Sequence, residues 1–210
     1  MHRVLNRSWF RSGVAILLLA TVVNSFADSF ESRFVEAALE RTRHAVRYDG
    51  SYHSINYPGG DVPADIGVCT DVVIRSYRTL GLDLQQQVHE DMLANFDLYP
   101  SQRIWGLTRP DANIDHRRVP NLQTFFERNG ATLKISDHAA DYEPGDLVTW
   151  MLPGNLPHIG IVTDQRDVNS GVPLIVHNIG AGPRLENMLF HYPITGHYRY
   201  EVSPPEEAPL

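Results

Sequence analysis

Cys69 is the only cysteine in the 210-residue chain. It sits in Gly67-Val68-Cys69-Thr70-Asp71-Val72-Val73, where an apolar helical pattern begins. A single cysteine in an exported chain has no internal partner for a disulfide. Buried, it would act only as a small hydrophobe. At a helix N-terminus, the dipole and the free N–H groups favour the thiolate instead. Acyl transfer by cysteine needs a base within hydrogen-bond reach, a group orienting that base and donors for the oxyanion. His158 is the candidate base. It opens the apolar strand His158-Ile159-Gly160-Ile161-Val162 after the turn Pro153-Gly154-Asn155-Leu156-Pro157. A plain strand-end histidine is the alternative. The Cys69 backbone N–H is a ready oxyanion donor. Asp71, in the same first turn, favours the helix but opposes a thiolate.

The chain begins like an export signal. Arg3, Arg7 and Arg11 precede an apolar run over residues 14–23, and Ser25-Phe26-Ala27 offers small residues at the two cleavage-reading positions. Ten residues are too few to span a bilayer as a helix. Residues 1–27 therefore read as a signal peptide, 28–202 as one domain, and 203–210 as a disordered acidic, Pro-rich tail. This implies an exported protein, periplasmic or secreted, with no stable membrane insertion once the signal is removed. Without the leader's three arginines, 15 basic residues face 25 acidic ones, a net charge of −10. That balance argues against nucleic acid as a partner.

Positioning elements follow from periodicity. Residues 29–48 read as a helix with Phe34, Ala37, Ala38, Ala45 and Val46 on one face and Ser29 as its cap. Cys69, Val72, Val73, Ser76, Tyr77 and Leu80 share the buried face of a second helix ending before Gly81. Leu84, Val88 and Met92 suggest a third helix, and 120–129 a fourth, with Pro120 in its first turn. Residues 99–115 read as a long irregular stretch. Strands are expected over 132–136, 146–152, 158–163, 174–178 and 197–201. Helices first and strands later make an α+β domain, with N-terminal helices packed on a mostly antiparallel sheet.

Gly145-Asp146-Leu147-Val148 followed by His158-Ile159-Gly160-Ile161-Val162 resembles the base-bearing hairpin of NlpC-type papain-like cysteine peptidases. In that clan the nucleophile helix opens with Asp-Cys-Ser-Gly, where this chain has Val68-Cys69-Thr70-Asp71. Tyr57-Pro58-Gly59-Gly60 resembles the clan's Tyr-x-x-Gly-Gly loop in shortened form. Over about residues 35–200 the chain more closely resembles a bacterial family described as domain of unknown function 1287, placed in this clan. Asn113-Ile114-Asp115-His116-Arg117-Arg118-Val119-Pro120-Asn121-Leu122 and His177-Asn178-Ile179-Gly180 carry that likeness. The resemblance implies a papain-like fold and a third polar residue on the strand after His158. His177 matches that position, with Asn178 as its rival, because neighbouring strand residues point to opposite faces. It also implies Tyr57 as a second oxyanion donor; a core tyrosine under the loop is the other reading.

Asp115, His116, Arg117 and Arg118 can bind a substrate carboxylate or simply anchor the following helix. His44, His53, His89, His116, His138, His191 and His197 show no tight metal spacing, so neither metal nor cofactor is expected. The leading expectation is an exported cysteine hydrolase of an amide bond. Resemblance and compartment together point to peptidoglycan, at a stem-peptide bond or the sugar–peptide amide. A non-catalytic wall- or protein-binding module on the same fold is the rival, and an acyl or peptidyl transferase the third reading. A protein activator is left open.

Overall fold

The computed structural model describes residues 29–201. The signal peptide expected over 1–27 and the tail expected over 203–210 lie outside the described residues.

The first helix, α1 (Phe30–Arg41), is capped by Ser29, whose Oγ accepts the Ser32 N–H at 3.3 Å. It ends earlier than its apolar pattern predicts. Thr42 closes it, sending both its N–H and its hydroxyl to the Leu39 carbonyl, at 3.1 and 2.7 Å. The chain then pairs in parallel as β1 (Arg47–Tyr48) with β2 (Ile66–Gly67), so 47–48 is strand rather than helix. β2 leads directly into α2 (Cys69–Thr79), the central helix, with eight of its 11 residues buried. α3 (Leu84–Asn95) follows, capped by the Asp83 carboxylate on the Gln85 N–H. The stretch expected to be irregular holds a short helix, α4 (Ser101–Trp105), closed by Gly106 in the left-handed region at φ 67°. A 3₁₀ turn at Asp115–Arg117 then runs into α5 (Val119–Arg128), with proline in its first turn.

The remaining strands are β3 (Leu147–Leu152), β4 (Leu156–Arg166), β5 (Pro173–His177), β6 (Arg184–Glu186) and β7 (Ile194–Tyr198). They form one sheet in the order β6-β5-β4-β3-β7, antiparallel throughout. The architecture is α+β. The strand expected over 132–136 shrinks to a single bridge from Thr132 to Tyr198. The Tyr142 hydroxyl occupies both backbone groups of Ser136, at 3.2 and 2.7 Å, and leaves no ladder there. The last strand lies at 194–198 rather than 197–201.

Alternation divides the core in two. Leu147, Ile159, Ile161, Val176 and Tyr198 face the helices and meet Val73, Tyr77 and Phe126. Val148, Trp150, Val162 and Ile175 face the other way, under Tyr142, Met188 and Leu189. α2 lies across β4, so the N-terminus of the central helix reaches the sheet where β4 begins.

Candidate active site

Cys69 is the first residue of α2 and only 4% exposed. The preceding Val68 offers no capping side chain, and Asp71 supplies the cap instead, its Oδ2 accepting the Val68 N–H at 2.7 Å. Arg117 grips the same carboxylate through Nε and Nη2, both at 2.9 Å. The first turn of α2 is thus fixed by a buried ion pair.

The Ile159 backbone N–H is directed at the Cys69 sulfur and lowers its pKa. That amide belongs to the residue after His158, so the thiol meets β4 at Ile159, next in sequence to the candidate base. His158 is 2% exposed and pairs through Nε2 with His177 Nδ1 at 3.0 Å, the two rings perpendicular. His177 Nε2 lies 3.1 Å from Glu186 Oε2. These contacts assign the tautomers. Glu186 is an acceptor, so His177 carries its proton on Nε2 and accepts on Nδ1. His158 therefore donates from Nε2, and its free lone pair is on Nδ1, the ring nitrogen nearer its own backbone and the Ile159 amide.

Strand register explains why two histidines meet. Ile161 faces Val176, which sets Gly160 against His177. A β-carbon at Gly160 would lie 3.1 Å from His177 Cβ and 2.6 Å from Ile175 Cγ2. The glycine of His-Ile-Gly clears the diagonal along which His177 reaches His158. Asn178 points elsewhere, donating to the Gly67 carbonyl at 3.4 Å and accepting the Gly180 N–H at 3.1 Å.

The electrostatics reverse one expectation. Burial pushes the Cys69 thiol up to about 11, and the Asp71 charge adds to this, outweighing the backbone N–H groups at the helix start. Burial, helped by His177, pushes His158 down to about 3. Burial also lowers His177, against the opposing pull of Glu186. Both shifts favour the neutral forms, a thiol and an unprotonated imidazole.

Cys69 opens on a cavity of about 330 Å³ whose walls include Tyr48, Gly50, Trp105, Arg118 and Pro157. Tyr57 is not part of these walls. It is 44% exposed and its ring packs edge-on against His89, with centroids 4.9 Å apart. The tyrosine in the cavity wall is Tyr48, itself 43% exposed, whose phenol is raised by its partial burial first and by the Cys69 charge second. Tyr48 was hidden in the sequence because it falls at the end of an apparent helix.

The Asp115–Arg118 segment anchors structure, apart from its last residue. Asp115 is 1% exposed and pairs with Arg118 at 3.1 Å. His116 is buried with no partner for Nδ1. Arg117 spends its donors on Asp71 and on the Ser51 and Asp49 carbonyls, both at 3.2 Å. Four of the five Arg117 N–H groups are thus taken by the protein itself, although Arg117 also lines the Cys69 cavity, so anchoring is the role these contacts display. Arg118, stacked 4.1 Å over the Trp105 ring, still faces the cavity. Glu186 and Trp105 were missed because each lies on an element too short to show periodicity, the three-residue β6 and the five-residue α4.

The two neutral imidazoles make stability acid-sensitive. His158 and His116 are each held at about 3 against 6.5 for a free histidine, in both cases chiefly by burial. The unfolded chain binds more protons across that interval, so stability is present above about pH 6.5 and is lost as pH falls towards 3. Each imidazole is expected to cost about 2 kcal/mol between pH 6.5 and 4.5. The urea midpoint should drop across this range, and His116→Gln should make the drop shallower. A flat midpoint would contradict both assignments.

The family described as Domain of unknown function (DUF1287) matches residues 35–200. The chain is also 50% identical over 169 residues to "Uncharacterized protein YijF" of Escherichia coli (strain K12), an alignment covering 80% of each chain.

Proposed function

The chain belongs to the family described as domain of unknown function (DUF1287), and from that premise we propose that it is an exported, papain-like (NlpC-type) cysteine hydrolase of an amide bond. The observation that carries this reading is the polar line behind the only cysteine. The Ile159 amide lies at the Cys69 sulfur, and His158 continues through His177 to Glu186. A packing cysteine has no use for a base whose tautomer is fixed by two further residues.

The chemistry runs as general-base catalysis, because the resting pair is neutral. His158 Nδ1 takes the Cys69 proton as sulfur attacks the carbonyl carbon. The oxyanion faces the Cys69 backbone N–H at the start of α2 and the Tyr48 hydroxyl. His158 then protonates the departing amine, leaving a thioester. Water, deprotonated by His158, hydrolyses the thioester and restores the thiol. His177 orients the base, and Glu186 holds His177. The same line serves an acyl transferase when an amine replaces water in the last step.

The substrate class follows from the exported setting and the clan likeness: peptidoglycan, at a stem-peptide bond or the sugar–peptide amide. A wall-binding module is the second reading, favoured by the 4% exposure of Cys69 and its raised pKa. Incubation with purified sacculi separates the two. Hydrolysis releases soluble fragments with new amino termini or free peptides. Protein that sediments with sacculi and releases nothing would overturn the hydrolase and install the module.

A further inference from the structure

A second cavity, of about 410 Å³, lies beside the start of α2. Val68, the residue before Cys69, contributes to both walls. Three guanidinium groups line the second cavity, those of Arg41, Arg75 and Arg78, with His44 beside them. Two carboxylates also reach it, but both are already engaged. Asp71 is held by Arg117 from outside the cavity. Asp61 is shared by Arg75 at 2.9 Å and Arg78 at 3.2 Å. Arg78 also reaches Asp83 at 3.2 Å.

Arg41 is different. Its hydrogen bond is from Nη2 to His44 Nε2, at 3.0 Å, and it has no carboxylate partner among the described residues. The Nε atoms of Arg41 and Arg78 are both buried without any hydrogen-bond partner. A buried donor left unmet is costly, and a guanidinium matches a carboxylate in fork geometry. One cavity is thus lined by a guanidinium with no carboxylate partner among the described residues, in a protein whose net charge is −7. Its remaining walls include the apolar Val72 and Pro183.

We propose that this cavity binds the terminal carboxylate of an amino acid or peptide that ends in a small apolar residue. Arg41 and Arg78 take the carboxylate, and Val72 and Pro183 take the side chain. A singly charged group fits best, because Asp61 and Asp71 in the walls oppose a phosphate dianion. The site does not depend on whether Cys69 does chemistry.

The test follows the arginine Nε–H resonances of labelled protein during titration. N-acetylalanine is the probe, with N-acetylalaninamide and inorganic phosphate as comparisons. Saturable shifts at Arg41 and Arg78 are expected with N-acetylalanine, and binding of the amide should be at least about tenfold weaker. Arg41→Gln should weaken N-acetylalanine by a similar factor, while Cys69→Ala should bind it as wild type does. Equal binding of acid and amide overturns the proposal without requiring any variant to fold. Tighter binding of phosphate overturns the carboxylate assignment. A protein that binds N-acetylalanine but releases nothing from sacculi keeps this site and loses the hydrolase.

Discussion

Cys69→Ala is expected to abolish release of soluble fragments from sacculi, a loss on the order of 10⁴-fold or more, while costing only about 1–2 kcal/mol of stability. The sulfur is the sole nucleophile in the proposed line, and no neighbouring hydroxyl stands in for it. Thr70 is committed to the Arg117 carbonyl, at 3.1 Å. Cys69→Ala is a cleaner probe than His158→Ala. Removing the His158 ring takes away the donor to His177 Nδ1 and opens space beside Trp150, so lost activity and lost packing would be confounded. An active Cys69→Ala protein would sink the cysteine mechanism outright. The neutral resting pair adds a kinetic signature. Proton transfer accompanies attack, so acylation should show a normal solvent isotope effect that a preformed thiolate–imidazolium pair would lack. Iodoacetamide should alkylate the free protein slowly at neutral pH, and the rate should climb only above the usual thiol range. A fast, acid-shifted thiol would mean that burial does not govern Cys69.

Local pattern carried much of this arrangement. The apolar series from Cys69 to Tyr77 placed the nucleophile in the first turn of a buried helix, and α2 begins at that residue. Short apolar runs bounded by turn residues put His158 and His177 on successive strands, and the family likeness singled out His177. The register that brings His177 diagonally onto His158 rests on Gly160, a residue whose meaning depends on which strand lies opposite. What local pattern could not supply was long-range pairing. Tyr48 was read as helix because nothing nearby announces that residues 47–48 will pair with 66–67. Tyr57 was placed at the oxyanion by likeness, whereas its ring follows His89 on α3. The helix start that favours a thiolate is visible in sequence, as is the opposing Asp71, but the burial that raises the thiol is a property of the packed domain. Glu186 sits on a strand too short to carry a period, yet it fixes the tautomer of both histidines.

Arg117→Ala is expected to destabilise the protein by about 3–5 kcal/mol, because it strands the Asp71 carboxylate in the core. Both side chains are 3% exposed, so water cannot replace the lost partner. The effect should reach the active site by two routes. Arg117 also holds the Asp49 and Ser51 carbonyls, which flank Gly50 in the Cys69 cavity, and that wall should loosen. An unpaired Asp71 charge should also raise the thiol further, because Asp71 already opposes ionisation of Cys69. The double variant Asp71→Asn/Arg117→Met removes both charges and keeps an acceptor for the Val68 N–H. It should regain about 1–2 kcal/mol over Arg117→Ala. Urea unfolding of the two variants against wild type checks this. The competing assignment, a substrate-carboxylate ligand, predicts a different result: a raised KM with the unfolding midpoint unchanged. The loss of midpoint in Arg117→Ala and its partial return in the double variant can come only from a buried ion pair that caps the nucleophile helix.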